Sequence, residues 1–293
     1  MSRGYDSICC FRSRDESSGR RVCWEITTDC NLNCPFCHRY DFNSEYYDIK
    51  RLSQTISLLH EHGIKNIILS GGEPLLHPSF FELVDKLYIA GFDLDVCSNG
   101  VPLDDEIIRK LKVRLGEISI SIDGYEAEQH DRMRHTPGCF ESTIKNLDLL
   151  VLAGIEVHVT TVVDVSFAGN IDSMTRFLHV HGVRSVSYLG LIPLGIGYNP
   201  LFSPECQKIL EKQIDIVREK YSDMSINTKQ LLINRSRCKC EAGNLVFGLG
   251  TDGLVLYPCL LTRKREGVEA IGSTEGLCPG SRYLTQRKES IKC

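Results

Sequence analysis

Cys30, Cys34 and Cys37 form a C-x₃-C-x₂-C run, with Pro35 and Phe36 between the last two cysteines. Three thiolates at this spacing can converge on one cubane iron–sulfur cluster, which ordinarily takes four cysteines. No fourth cysteine stands at matching spacing, so one iron is left without a protein ligand. An open iron binds a substrate or cofactor, just as an open position separates catalytic from structural zinc sites. A zinc ribbon, the structural alternative, brings two paired C-x₂-C elements, and that pairing is missing here. A second candidate edge is Gly71-Gly72-Glu73-Pro74. Its glycines present unhindered N–H and C=O groups. Glu73 adds an acceptor and Pro74 stiffens the exit, which suits an amino-acid-like ligand with a free ammonium.

The remaining cysteines are unevenly spread. Of 14 in the chain, Cys238, Cys240, Cys259, Cys278 and Cys293 crowd the C-terminal end, while Cys9, Cys10, Cys23, Cys97, Cys139 and Cys206 are scattered. Two cysteine-rich regions suggest two clusters. The N-terminal stretch is polar, mixed in charge and without a signal-peptide pattern. No apolar run reaches the roughly 18 residues that span a bilayer. These features imply a cytoplasmic protein with no membrane partner, where thiols stay reduced and ligate metal rather than pair. A net charge of −4 gives no electrostatic case for nucleic acid.

The elements that must position these residues follow a strand-then-helix period. Val22–Thr27 is β-rich and leads straight into the cysteine loop. A helix carrying Leu52, Ile56 and Leu59 ends at Gly63, and strand Asn66–Ser70 leads into the glycine pair. A helix opening at Pro78 ends before Gly91. Strand Phe92–Cys97, a helix capped near Asp104 or Asp105, and strand Gly116–Ile122 come next. Helices ending at Gly154 and Gly182 flank strand Ile155–Val163, and Val183–Leu191 is the sixth strand. Six such units imply an α/β fold, a partial (β/α)6 TIM-like barrel with its chemistry at the C-terminal strand ends. The expected organisation is a mobile tail over 1–20, a core over 21–195, a linker and helix over 196–237, and a small β-hairpin cluster-binding domain over 238–293. The segment 238–293, with so little apolar content, cannot build an independent core and needs a metal staple.

Cysteine loop, glycine edge and repeated unit together resemble the radical S-adenosylmethionine (radical SAM) superfamily over roughly residues 21–193. The resemblance implies a [4Fe-4S] cluster on Cys30, Cys34 and Cys37. It also implies that Gly71, Gly72, Glu73 and Pro74 hold the methionine end of S-adenosylmethionine, and that Phe36 lies near the adenine. Ser98, Asn99 and Ser121 become candidate cofactor contacts. The implied chemistry is reductive cleavage of the cofactor to a 5′-deoxyadenosyl radical, which takes hydrogen from a substrate C–H bond, with a flavodoxin- or ferredoxin-type reductant. The organic chemistry belongs to the cofactor.

Cys240-Glu-Ala-Gly243 followed by Asp252-Gly253 and Pro258-Cys259 resembles the auxiliary-cluster domains called SPASM, or twitch in the shortened form. The interval from Gly253 to Cys259 is one residue longer than usual, and a later C-x₂-C-x₅-C run is absent. One extra cluster is therefore expected, on Cys240, Cys259, Cys278 and Cys293, with Cys238 as a substitute ligand. Cys97 and Cys139 are candidate hydrogen-atom donors to a substrate radical. Arg132, Arg134 and His135 read as a solvated loop, and Arg263-Lys264-Arg265 as a solvated turn. About 20 residues precede the core, too few for a leader-binding domain. That points to epimerisation or oxidation of a small aminosugar- or aminocyclitol-like substrate. A ribosomal-peptide maturase and a non-catalytic iron–sulfur electron carrier are the alternatives.

Overall fold

The computed structural model describes residues 20–37, 44–164, 167, 169–190, 204–228, 246–253, 255–257 and 264–266. In chain order the elements are β1 (Arg20–Thr27), α1 (Leu52–Glu61), β2 (Ile64–Gly71), α2 (Phe80–Ile89), β3 (Asp93–Ser98) and α3 (Asp105–Leu111). There follow β4 (Leu115–Ser121), α4 (Ala127–Arg134), α5 (Cys139–Leu152), β5 (Val157–Val163), α6 (Ile171–Val180) and β6 (Ser185–Gly190). The last are α7 (Pro204–Lys220), β7 (Ser225–Asn227), β8 (Val246–Leu249), β9 (Val255–Tyr257) and β10 (Lys264–Glu266). The expected strand–helix alternation is present. Gly63, Gly91, Gly154 and Gly182 close their helices at φ of 66°, 87°, 72° and 80°, backbone that a Cβ would strain. Asp104 caps α3 by accepting the Ile107 N–H at 2.8 Å.

The chain divides into two compact units. The first holds residues 1–29, 41–95 and 233–293. Its β1 pairs in parallel with β2 on one side and with β8 on the other. Strand β8 continues antiparallel through β9 to β10. The expected hairpin at Thr251-Asp252-Gly253 therefore exists, and its first strand extends the sheet beside β1. Arg51 Nη1 donates to the Asp252 carbonyl at 2.6 Å and Thr251 Oγ1 to Glu45 Oε2 at 2.9 Å, which ties the turn down. The core is built on Trp24, Ile26, Ile67, Leu69, Leu83 and Leu87. Trp24 and Tyr47 meet edge to face with ring centroids 4.6 Å apart. Lys264–Glu266 forms β10 rather than a solvated turn. Charged residues are what an edge strand carries.

The second unit holds residues 30–40 and 96–232. Here β4, β5, β6 and β7 pair in parallel in sequence order. Ile118, Ile120, Val159, Val186 and Tyr188 are buried, as are Leu147 and Leu150 of α5 and Met174 and Leu178 of α6. Tyr188 and Thr175 of α6 share a hydroxyl hydrogen bond of 2.6 Å, so this sheet face is the one turned to the helices. Helix α4 was not expected from the sequence, because Ala127–Arg134 reads AEQHDRMR with one apolar residue larger than alanine. Among the described residues no helix is long and apolar enough to cross a membrane.

Candidate cofactor site

The cysteine loop begins where β1 ends. Thr27 Oγ1 accepts the Asp29 N–H at 2.9 Å, turning the chain one residue before Cys30. Across Pro35 and Phe36 the Cys37 N–H donates to the Cys34 carbonyl at 3.1 Å, which folds the C-x₂-C segment into a turn. All three cysteines are half-buried. Among the described residues no three His, Cys, Asp or Glu side chains gather closely enough for a single ion.

The donors aimed at these sulfurs fit a thiolate-bound cluster. Cys30 Sγ accepts from the Leu32 N–H at 3.4 Å and from Asn99 Nδ2 at 3.9 Å. Asn99 Nδ2 also donates to Asn31 Oδ1 at 2.7 Å. Arg134 Nη1 donates to Cys34 Sγ at 3.9 Å. Hydrogen bonds to cluster sulfur are a principal means by which a protein tunes such a site.

The glycine edge is stitched to the entry of the same loop. Gly72 N–H donates to the Thr27 carbonyl at 2.8 Å and Glu73 N–H to the Asp29 carbonyl at 2.7 Å. Gly71 has φ of 138°, and a Cβ there would collide with the Thr27 carbonyl oxygen. A Cβ on Gly72 would collide with the Asp29 carbonyl oxygen. The glycines are thus required by backbone meeting backbone, at Thr27 and Asp29 just ahead of Cys30. Glu73 is fully buried, and its carboxylate caps the turn at Pro74–Leu76 by accepting the Leu75 N–H at 3.2 Å.

Helix α5 sets the loop after β3. Thr143 Oγ1 donates to the Asn99 carbonyl at 3.2 Å, and Asn146 Nδ2 to the Gly100 carbonyl at 2.8 Å. Ser98 Oγ accepts the Gly100 N–H at 3.0 Å, and Asn99 Oδ1 the Val101 N–H at 2.9 Å. Ser98 and Asn99 are buried, whereas Ser121 is half-buried at the end of β4.

Arg134, read from sequence as solvated, is 7% exposed. Its Nη2 lies 2.7 Å from Asp123 Oδ2, an ion pair in contact rather than a well-angled hydrogen bond. Its Cζ stands 5.6 Å from the Phe36 ring centre. Burial drives the Asp123 carboxyl above its usual range against the pull of the guanidinium. Burial also disfavours the charged guanidinium, but Asp123 and Cys34 more than compensate. The signal for Arg134 was helical spacing, since His130, Met133 and Arg134 share the buried face of α4.

Cys139 opens α5, 3% exposed, with its thiol donating to Asp131 Oδ1 at 3.3 Å. Burial and that carboxylate push the thiol up to about 12, so sulfur keeps its hydrogen. Cys97 is half-buried on β3. Cys238, Cys240, Cys259, Cys278 and Cys293 lie outside the described residues.

A three-cysteine loop with N–H donors on two of its sulfurs thus stands on a parallel α/β scaffold. The model of the radical SAM superfamily matches residues 24–178, and the chain belongs to that superfamily. It is 33% identical over 185 residues to the AdoMet-dependent heme synthase of Methanosarcina barkeri, covering 61% of this chain and 52% of that protein. The chain thus spans about half the length of that relative. With the sporulation killing factor maturation protein SkfB of Bacillus subtilis it shares 28% identity over 280 residues, 92% of this chain and 67% of that protein. Streptococcus suis SuiB bound to S-adenosylmethionine superposes with a TM-score of 0.71 at 12% identity, covering 91% of this chain and 68% of SuiB. SuiB has also been solved bound to its precursor peptide SuiA. The superposition shows the fold to be the expected open, partial TIM-like barrel.

Proposed function

We propose that this protein removes a hydrogen atom from a C–H bond of a peptide substrate, with Cys30, Cys34 and Cys37 holding a [4Fe-4S] cluster. When bound, the cluster and S-adenosylmethionine supply a 5′-deoxyadenosyl radical. Asn99 and Arg134 stabilise the Cys30 and Cys34 thiolates through N–H donors. Gly71, Gly72 and Glu73 offer the edge for the cofactor's methionine end, Phe36 the adenine contact, and Ser98, Asn99 and Ser121 further polar contacts. Cys139, held as a thiol, and Cys97 are candidate donors that return a hydrogen atom in epimerisation; oxidation would need neither.

The observation that carries this reading is the set of N–H donors converging on the sulfurs of a three-cysteine loop. A peptide replaces the small aminosugar-like substrate expected from sequence because SkfB, a maturation protein, aligns with nearly the whole chain. A second cluster on Cys240, Cys259, Cys278 and Cys293, with Cys238 in reserve, remains part of the proposal, as does a flavodoxin- or ferredoxin-type reductant. The test is anaerobic reconstitution with iron and sulfide, then dithionite and S-adenosylmethionine. Wild type should release 5′-deoxyadenosine and the Cys34→Ala variant none. No release from wild type would favour the electron-carrier reading.

A further inference from the structure

Helix α5 carries two buried polar residues on the side it turns to the loop after β3. Thr143 is fully buried and Asn146 is 5% exposed; three positions apart, they are neighbours on the helix surface. Thr143 Oγ1 donates to the Asn99 carbonyl at 3.2 Å. Asn146 Nδ2 donates to the Gly100 carbonyl at 2.8 Å and to the Val101 carbonyl at 3.3 Å. Three consecutive carbonyls are thereby held by one helix. Gly100 has φ of 83°, and a Cβ there would stand 3.0 Å from Thr143 Cγ2 and 3.1 Å from Ile120 Cγ2. The loop is packed against α5 as well as hydrogen-bonded to it.

This loop aims the Asn99 side chain at the cysteine loop. Asn99 Oδ1 accepts the Val101 N–H at 2.9 Å, which settles the orientation of the amide, because a backbone N–H can meet only its oxygen end. Nδ2 is therefore turned the other way, toward Asn31 Oδ1 at 2.7 Å and Cys30 Sγ at 3.9 Å. The residue next to Cys30 is gripped while the Cys30 sulfur receives an N–H. Cys30 Sγ also accepts the Leu32 N–H at 3.4 Å. That donor belongs to the backbone of the cysteine loop itself, whereas the Asn99 donor reaches the sulfur from beyond β3 and is set by α5. At 3.9 Å the N···S contact is long, so a small displacement of residues 99–101 decides whether it persists.

We infer that Thr143 and Asn146 are positioning residues for the cofactor site: by clamping residues 99–101 they hold the Asn99 N–H on Cys30, and so set how readily a cluster on that sulfur accepts an electron. This role rests on the functional reading above, in which Cys30, Cys34 and Cys37 hold a [4Fe-4S] cluster. The partial positive charge of an N–H beside a cluster sulfur lowers the cost of an added electron, so the donor raises the reduction potential. Thr143 and Asn146 act at the backbone that carries or follows Asn99, and their influence on sulfur passes through its amide.

The test is an anaerobic redox titration of the reconstituted full chain, read by the electron paramagnetic resonance of the reduced cluster, with iron content confirming assembly. Asn99→Ala should shift the ratio of reduced to oxidised cluster about ten-fold toward the oxidised form at a given potential, a fall of about 59 mV for one electron. Thr143→Val, which keeps the methyl packed on Gly100 and loses the hydroxyl, should shift the ratio about three-fold the same way, as should Asn146→Leu. Thr143→Ser should restore the wild-type ratio. Thr175→Val removes an equally buried hydroxyl from α6 and should leave the ratio unchanged. The double change Asn99→Ala with Asn146→Leu should match Asn99→Ala alone, since one acts through the other. Where Asn146→Leu fails to assemble a cluster, Thr143→Val and Thr143→Ser carry the comparison. A ratio indifferent to Thr143→Val, or a double variant lower than Asn99→Ala, would overturn the positioning role alone. Wild type that assembles no cluster at all would defeat the functional reading and this role with it.

Discussion

Arg134 is shared between two partners: its Nη1 reaches Cys34 Sγ at 3.9 Å while its Nη2 contacts Asp123 Oδ2 at 2.7 Å. One buried cation thus joins a cluster-loop cysteine to a carboxylate beyond the end of β4. The carboxylate also accepts the Val162 N–H at 2.7 Å, which fixes its position independently of the arginine.

Removing one member of a buried ion pair leaves the other uncompensated, a loss of about 3–5 kcal/mol. Arg134→Met should therefore lower stability strongly in denaturant titrations. The double change Arg134→Met with Asp123→Asn should recover most of it. It should not recover 5′-deoxyadenosine formation, because the donor to Cys34 is still missing. Full recovery of both would make Arg134 a purely structural residue.

Gly72→Ala forces a Cβ against the Asp29 carbonyl. The glycine edge must then part from the backbone leading into Cys30, and S-adenosylmethionine affinity should drop at least ten-fold by equilibrium dialysis. Gly63→Ala meets no atom within 4 Å. It should cost only the left-handed backbone penalty of about 1–2 kcal/mol and leave cofactor affinity alone.

Asp131 accepts the N–H groups of Gly138 and Phe140 at 2.6 and 2.8 Å, tying down the start of α5. Burial opposes ionisation, but these donors win and hold the carboxyl below its usual 3.8. A carboxyl depressed on folding adds stability above its unfolded value, and that stability is lost as pH falls through the folded one. Wild type should exceed Asp131→Ala by about 1 kcal/mol at neutral pH, with the gap closing below pH 3.8. The same change removes a cause of the raised Cys139 thiol. Peptide-mapped alkylation of Cys139 at pH 9 should therefore run faster in the variant.

Iron content separates one cluster from two. Wild type should carry about eight irons and the triple Cys30/Cys34/Cys37→Ala variant about four, from cubane stoichiometry. About four irons falling to none would remove the auxiliary cluster from the proposal.

The helix-closing glycines and the cysteine loop were legible because each answers a local demand, a left-handed φ or a ligand spacing. Helix α4 was not, since its burial depends on Asp123 neutralising Arg134 from outside the helix. Charged β10 read as a turn because its strand character comes from pairing with β9, which the local sequence does not announce. Thr143 and Asn146 were hidden for a different reason. Along the helix they are two polar positions three apart, and only the fold shows which carbonyls they meet.

Electron–nuclear double resonance on the reduced protein with amino-¹⁵N S-adenosylmethionine tests the open iron most directly. Nitrogen coupling to the cluster, abolished in Cys30→Ala, is the predicted result. A reduced cluster with no such coupling at saturating cofactor would mean that its fourth iron is already held, and would contradict the account.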